Sequence, residues 1–335
     1  MRAPPGRPTG PALPVTYSIL SSDAVLEEVR REYGIEGLEG CSLMHRGLNA
    51  SYLVTCAGGR YVARISGARW RSAASIGYEL ELLGHLAAAG VSAPLPIAAR
   101  DHGLAVPVAA PEGTRQLVLF TFVEGSPLSW NEPVYWEAAG RAAAAFHAAS
   151  DDFASRHSRV PLDLENLIEA QLDALRPYLE GRPEWRVLSR ISADLRERAA
   201  ALTPGLDWGV CHGALAAENL RVGENGRLSL IDFDLAAPGW RAYDLAAVHW
   251  VASSPKGSEI WNLFIRGYVD VRAPATVDLQ AVPLFHAIRR LWSLGMEARK
   301  APAFGSHRLA PEHLKPELRA LRRDERAGRA QGGTP

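Results

Sequence analysis

His212 is followed by a glycine, Asn219 stands seven residues further on, and Asp232 closes an apolar stretch thirteen residues after that. An amide and a carboxylate are hard oxygen donors of the kind Mg²⁺ prefers. Phosphoryl transfer asks little more of a protein: phosphates held, metal ions anchored, and a hydroxyl oriented in line with the bond that breaks. In a loop of the form H-x-D-x4-N, the carboxylate orients that hydroxyl and the asparagine five residues later holds metal. The stretch "VCHGALAAENLRV" (residues 210–222) keeps the histidine and the asparagine, but Ala214 stands where the carboxylate belongs. A positioned general base is worth roughly 10² to 10⁴ in rate, so slow transfer is predicted, with metal and nucleotide binding spared. The neighbouring acids Glu218 and Asp234 are not expected to reach a substrate hydroxyl in its place.

These residues need elements to hold them. "DAVLEEVRREYGI" has helical spacing ended by Gly34, and "SYLVTC" and "RYVARIS" alternate as strands around "AGG", which predicts a β-hairpin. "AASIGYELELLGHLAAAG" reads as a helix closed by Gly90. "VSAPLPI" and "GLAVPVAA" read as short edge strands because of their prolines, and "QLVLFTFVEGSPL" as a buried strand entering a turn. From Trp136 the pattern turns helical: "YWEAAGRAAAAFHAAS", "LENLIEAQLDALRPYL", "EWRVLSRISADLRERAAAL", "WNLFIRGYV" and "PLFHAIRRLWSLGMEA", interrupted by a strand pair at 221–233 with "ENG" at its turn. His147, His286, Tyr268 and Trp292 lie on apolar helical faces and read as core. The expected organisation is a disordered arm over 1–15, a small β-rich lobe over 16–122, a helical lobe over 123–320 joined near 122–127, and a disordered tail over 321–335.

A chain of 335 residues is long enough for two lobes with a sizeable core. Its 37 Lys and Arg balance 37 Asp and Glu, so nothing in the whole-chain charge draws it to nucleic acid or a membrane, although from residue 247 onward 14 basic residues outnumber 8 acidic ones. Cys41, Cys56 and Cys211 are widely spaced, which supports neither a disulfide framework nor a zinc site. The first fourteen residues carry five prolines and no apolar h-region, and no apolar run reaches the roughly 18 residues of a membrane span. A cytoplasmic location is expected.

The run "HGALAAENLRV" followed by "LSLIDFDLAAPGWRAYDLA" resembles the aminoglycoside phosphotransferase superfamily, and the N-terminal half is similar to its homoserine kinase and stress-response kinase relatives. The resemblance spans roughly residues 35–300. It implies an α+β, two-lobed protein-kinase-like fold, with ATP and Mg²⁺ between a small antiparallel β-rich N-lobe and a larger helical C-lobe. By position, Asn219 and Asp232 would hold Mg²⁺. Arg64, where the family presents lysine, would clamp phosphate with Glu79 as its helix partner; "MHRGLNASYLV", with Asn49 and Ser51, would cover the phosphates; and Phe122, Val123 and Glu124 would line the adenine pocket. His212 and Ala214 would mark the catalytic loop, and Asp244 would cap the "YDLA" helix. Two implications stay open. Either the chain descends from, or is an alanine variant of, an ATP-dependent phosphotransferase acting on a hydroxyl of a small molecule or of a peptide Ser/Thr, or it is a pseudokinase that binds nucleotide in support of a partner protein.

Overall fold

The computed structural model describes residues 13–249 and 255–331. Of the arm expected over 1–15, residues 1–12 lie outside the described residues, as do 332–335 of the tail.

Helix α1 (Ser22–Glu32) starts at Ser21, whose hydroxyl accepts the Ala24 N–H at 3.2 Å. Strands β1 (Leu38–Arg46), β2 (Asn49–Cys56) and β3 (Gly59–Ser66) then form an antiparallel meander. The expected hairpin is β2 with β3, and Gly59 turns it at a φ of 142°. Helix α2 (Ala73–Ala88) is capped by Ser72, which accepts from the Ser75 N–H, and gives way to Gly90 at φ 78°. Strands β4 (Val106–Ala110) and β5 (Gly113–Thr121) complete a five-stranded sheet in the order β1-β2-β3-β5-β4. The "VSAPLPI" segment makes only an isolated bridge, Pro96 to Phe120, because its prolines withhold the N–H donors a strand needs. The "LEGCSLMHR" strand β1, by contrast, was not anticipated: it is exposed along most of its length and shows no apolar alternation. Val25, Val29 and Tyr33 of α1 pack on one face of the sheet with Tyr52, Val54 and Ile65, while α2 packs with Val118 and Phe120 on the other.

The chain leaves the sheet through residues 122–125 and enters strand β6 (Ser126–Pro127). Gly125, at φ 118°, passes so close that a Cβ there would lie 2.4 Å from the Val222 carbonyl oxygen. Helices α3 (Trp136–Ala149), α4 (Ala170–Leu179) and α5 (Pro183–Leu202) follow, with a π-helical turn over Glu165–Glu169 opening α4. Strand β7 (Trp208–Cys211) leads into the loop at 212–219, then β8 (Leu220–Val222), β9 (Leu228–Leu230) and β10 (Ala237–Trp240). β6, β8 and β9 make one small sheet, and β7 pairs with β10. Helices α6 (Ala242–His249), α7 (Pro255–Val269), α8 (Thr276–Phe304) and α9 (Pro311–Gln331) finish the helical part. Helix runs through residues 321–331, which were expected to be tail: Leu314, Leu318 and Leu321 are buried on one stripe, and Asp324 accepts from Arg290 of α8 at 2.7 Å. The architecture is α+β, with a small antiparallel sheet ahead of a larger helical part whose short strands carry the loop at 212–219.

Candidate active site

The loop after β7 turns at Gly213, where φ is 77° and a Cβ would come within 2.5 Å of the Leu235 carbonyl oxygen, so only glycine fits. His212 is fully buried. Its Nε2–H donates to the Ile231 carbonyl at 3.0 Å, and its Nδ1 accepts the Ala214 N–H at 3.3 Å, which assigns the neutral tautomer. Burial lowers its pKa further below the ordinary value. Both ring nitrogens of His212 are committed to backbone groups, which ties the start of the loop to the Ile231 segment.

Asp244, in the first turn of α6, accepts from no N–H of that helix among the described residues and so is not the expected cap. Its carboxylate reaches back to accept the N–H groups of His212 at 2.6 Å and Gly213 at 2.9 Å, and the Nε2–H of His147 at 3.0 Å. The Tyr268 hydroxyl closes the chain on His147 Nδ1 at 2.7 Å. Burial alone would raise the Asp244 pKa, but the His147 bond and the loop's donors outweigh it and hold the group anionic. His147 and Tyr268 are core residues, as read, yet core residues with polar work. A histidine set among alanines in "AAAAFHAAS" has to find a buried partner, and that was the available signal.

Ala214 is half-buried, and its carbonyl accepts the Asn219 Nδ2–H at 2.9 Å, which leaves Oδ1 as the amide's remaining face. The Asn219 carbonyl in turn accepts the Ile231 N–H at 2.9 Å, bringing the asparagine beside the segment that carries Asp232. Asp232 sits in a left-handed conformation, φ 62° and ψ 67°, which costs a non-glycine residue strain. Asp232 is exposed, yet neighbouring protein raises its pKa by desolvation, aided by Asp234 and opposed by Arg64. Asn219 and Asp232 carry hard oxygen donors of the kind that could hold a Mg²⁺. Among the described residues no cluster of three or more His, Cys, Asp or Glu offers a competing metal cage.

Arg64 on β3 meets Glu79 on α2 through two parallel bonds of 2.7 and 2.6 Å, both groups buried. Burial disfavours the guanidinium charge, but Glu79 first, then Asp234 and Asp232, restore it. Ser51 faces Arg64 across the β2–β3 ladder, and the Asn49 Oδ1 is buried without a hydrogen-bond partner among the described residues. Phe122 and Glu124 turn towards Arg60 instead of standing free: the guanidinium stacks 4.2 Å over the Phe122 ring and pairs with Glu124. A cavity of about 860 Å³ opens there, between Arg60, Glu124, Gly125 and the β8–β9 turn at Val222 and Gly223. Asp234 is committed as well. Its carboxylate accepts from Trp70 Nε1 at 2.7 Å and pairs with Arg71 at 3.4 Å, while Arg71 and Arg159 both donate to its backbone carbonyl. Burial would raise its pKa, but those cations hold it low, so it is no spare base for position 214. Arg289 of α8, which no motif marks, donates to the Gly213 carbonyl at 3.1 Å.

Residues 45–279 match the model of a family described as the phosphotransferase enzyme family. An uncharacterised protein of Deinococcus radiodurans is 35% identical over 304 residues, covering 89% of this chain and 88% of that protein. A homoserine kinase of Mesorhizobium japonicum is 30% identical over 245 residues, 70% of this chain and 72% of the kinase. The structure of an amicoumacin kinase in complex with AMP-PNP and Ca²⁺ superposes with a TM-score of 0.72 at 19% identity, covering 93% of this chain and 94% of that one. The fold is the two-lobed protein-kinase-like one.

Proposed function

The chain belongs to the phosphotransferase enzyme family, and on that premise we propose that it binds ATP with Mg²⁺ between its sheet and its helical part and moves the γ-phosphate to a hydroxyl of a small molecule, slowly because of Ala214. The observation that carries this reading is the coexistence of three intact parts: the Arg64–Glu79 clamp, the Asn219–Asp232 donor pair, and a loop whose backbone is pinned by Asp244. Asn219 and Asp232 would hold the Mg²⁺, which supplies neutralisation of charge on the phosphates. Arg64 presents a cation towards the same space, its geometry fixed by Glu79, and the unpartnered Asn49 Oδ1 lies near the turn expected over the phosphates. Transfer forms a bond from the acceptor oxygen to phosphorus and breaks the bond to the β-phosphate bridging oxygen, and the acceptor's proton must leave. Position 214 is where a carboxylate would orient that hydroxyl, and a methyl group cannot. A small-molecule acceptor is favoured over a peptide by the homoserine kinase relatives.

Ala214 itself favours a second reading, a pseudokinase that binds nucleotide in support of a partner protein. Calorimetry of ATP with and without Mg²⁺ tests the shared part: metal-dependent binding is expected, and its absence would remove both nucleotide readings. The Ala214→Asp form then divides them, since a phosphotransferase gains turnover on some acceptor and a pseudokinase does not.

A further inference from the structure

We propose that Arg289 recognises a carboxylate on the phosphate acceptor, so that the acceptors of this site are small hydroxy acids rather than neutral or cationic alcohols. The inference rests on the phosphotransferase reading and narrows it. Arg289 lies half-buried on α8, with its guanidinium carbon 4.4 Å over the Tyr243 ring and one N–H on the Gly213 carbonyl at 3.1 Å. Gly213 immediately precedes Ala214, so this cation stands beside the place where an acceptor hydroxyl must be presented. The ring fixes the plane of the fork and the carbonyl fixes one of its five donors, leaving the others directed by geometry rather than by a protein partner.

The chain's buried arginines all have counter-ions. Arg64 has Glu79, Arg115 has Glu112, Arg241 has Asp207, and the next residue in the chain, Arg290, has Asp324 at 2.7 Å and Glu317 at 2.9 Å. Among the described residues no carboxylate lies within ion-pair distance of half-buried Arg289. The same is true of half-buried Arg159 and Arg221, and Arg289 is set apart from those two by its place over the Tyr243 ring and on the Gly213 carbonyl. Beneath it the Tyr243 hydroxyl, fully buried, also has no hydrogen-bond partner among the described residues. A cation partly withdrawn from water without a counter-charge gains when a ligand brings the charge. A planar fork over an aromatic plate matches a carboxylate in charge and in shape, and it repels an ammonium.

The test uses the full-length chain carrying Ala214→Asp, with matched acceptors that differ by one carboxylate: L-homoserine against 3-aminopropan-1-ol, and 4-hydroxybutyrate against propan-1-ol. ADP release gives kcat and KM for each. The acid of an active pair is expected to be preferred by about tenfold or more in kcat/KM. In Arg289→Gln that ratio should collapse, through a rise in KM for the acid, and Arg289→Lys should keep part of it. A preference for the alcohol, or an equal loss for acid and alcohol in Arg289→Gln, would overturn the proposal and leave Arg289 as a clamp on the loop. ATP titrated into the same proteins separates the layers. Metal-dependent ATP binding without turnover of any hydroxy acid overturns the acceptor assignment alone, whereas no ATP binding overturns the phosphotransferase reading beneath it.

Discussion

An aspartate placed at position 214 would arrive in a loop already built to present it. Gly213 makes the turn, Asp244 pins the two preceding N–H groups, and Asn219 ties down the carbonyl of residue 214 itself. Ala214→Asp should therefore raise phosphate transfer by roughly 10² to 10⁴ with little change in ATP affinity, measured as ADP release with an active acceptor. Asp244→Asn tests the support beneath the loop. An amide can keep at most part of what the carboxylate accepts, so a loss of about 1.5–3 kcal/mol in unfolding free energy is expected for each charged bond that fails, read from urea denaturation. In the Ala214→Asp background the same change should lower kcat more than it weakens ATP binding. The pairing of Arg64 with Glu79 was legible through the family resemblance, and the approach of Asn219 to the segment that carries Asp232 through the order of the motif. The role of Asp244 was not, because its partners lie 31, 32 and 97 residues away and no local pattern encodes them. Phe122 and Glu124 were placed by position along the chain, but which way each side chain turns depends on how the chain leaves β5, and Arg60 captures both.

Helices α3 and α7 approach through their glycines. A Cβ on Gly140 would lie 1.9 Å from the Phe264 carbonyl oxygen, and one on Gly267 would lie 1.8 Å from that of Glu137. Backbone meets backbone there, so a side chain cannot rotate away to make room. Gly267→Ala is expected to force the helices apart and cost about 1–3 kcal/mol, seen as a lower urea midpoint with an unchanged slope. The displacement bears on His147 of α3 and Tyr268 of α7, whose 2.7 Å bond supports Asp244, so reduced turnover should accompany it. Helical periodicity made both helices readable, but a small residue in a helix says only that something comes close, not what. The end of α9 failed to read for a different reason: its charge density and glycines resemble a tail, and the leucine stripe that folds it against α8 lies just upstream.

Buried imidazoles set the acid limit of the whole molecule. Desolvation lowers the pKa of His147, His212 and His249, and takes His286 down to about 4. In the unfolded chain each takes up a proton near pH 6.5, so on acidification the unfolded state binds protons the native state refuses, and stability falls as pH drops below about 6.5. Each imidazole contributes at most about 1.4 kcal/mol per pH unit until its folded pKa is reached, and thermal melts at pH 7.5, 6 and 5 should show the decline. A Tm that held constant over that range would contradict it. The knot at Asp244 also sets an order of assembly. One carboxylate cannot satisfy the His212 and Gly213 amides until α6 has docked, and it cannot stay anionic in the interior until His147, 97 residues away on α3, has arrived. Contacts of such separation close late. The loop at 212–219 is thus among the last segments to acquire its native shape, and its amides, silent to hydrogen exchange once Asp244 holds them, time the completion of folding.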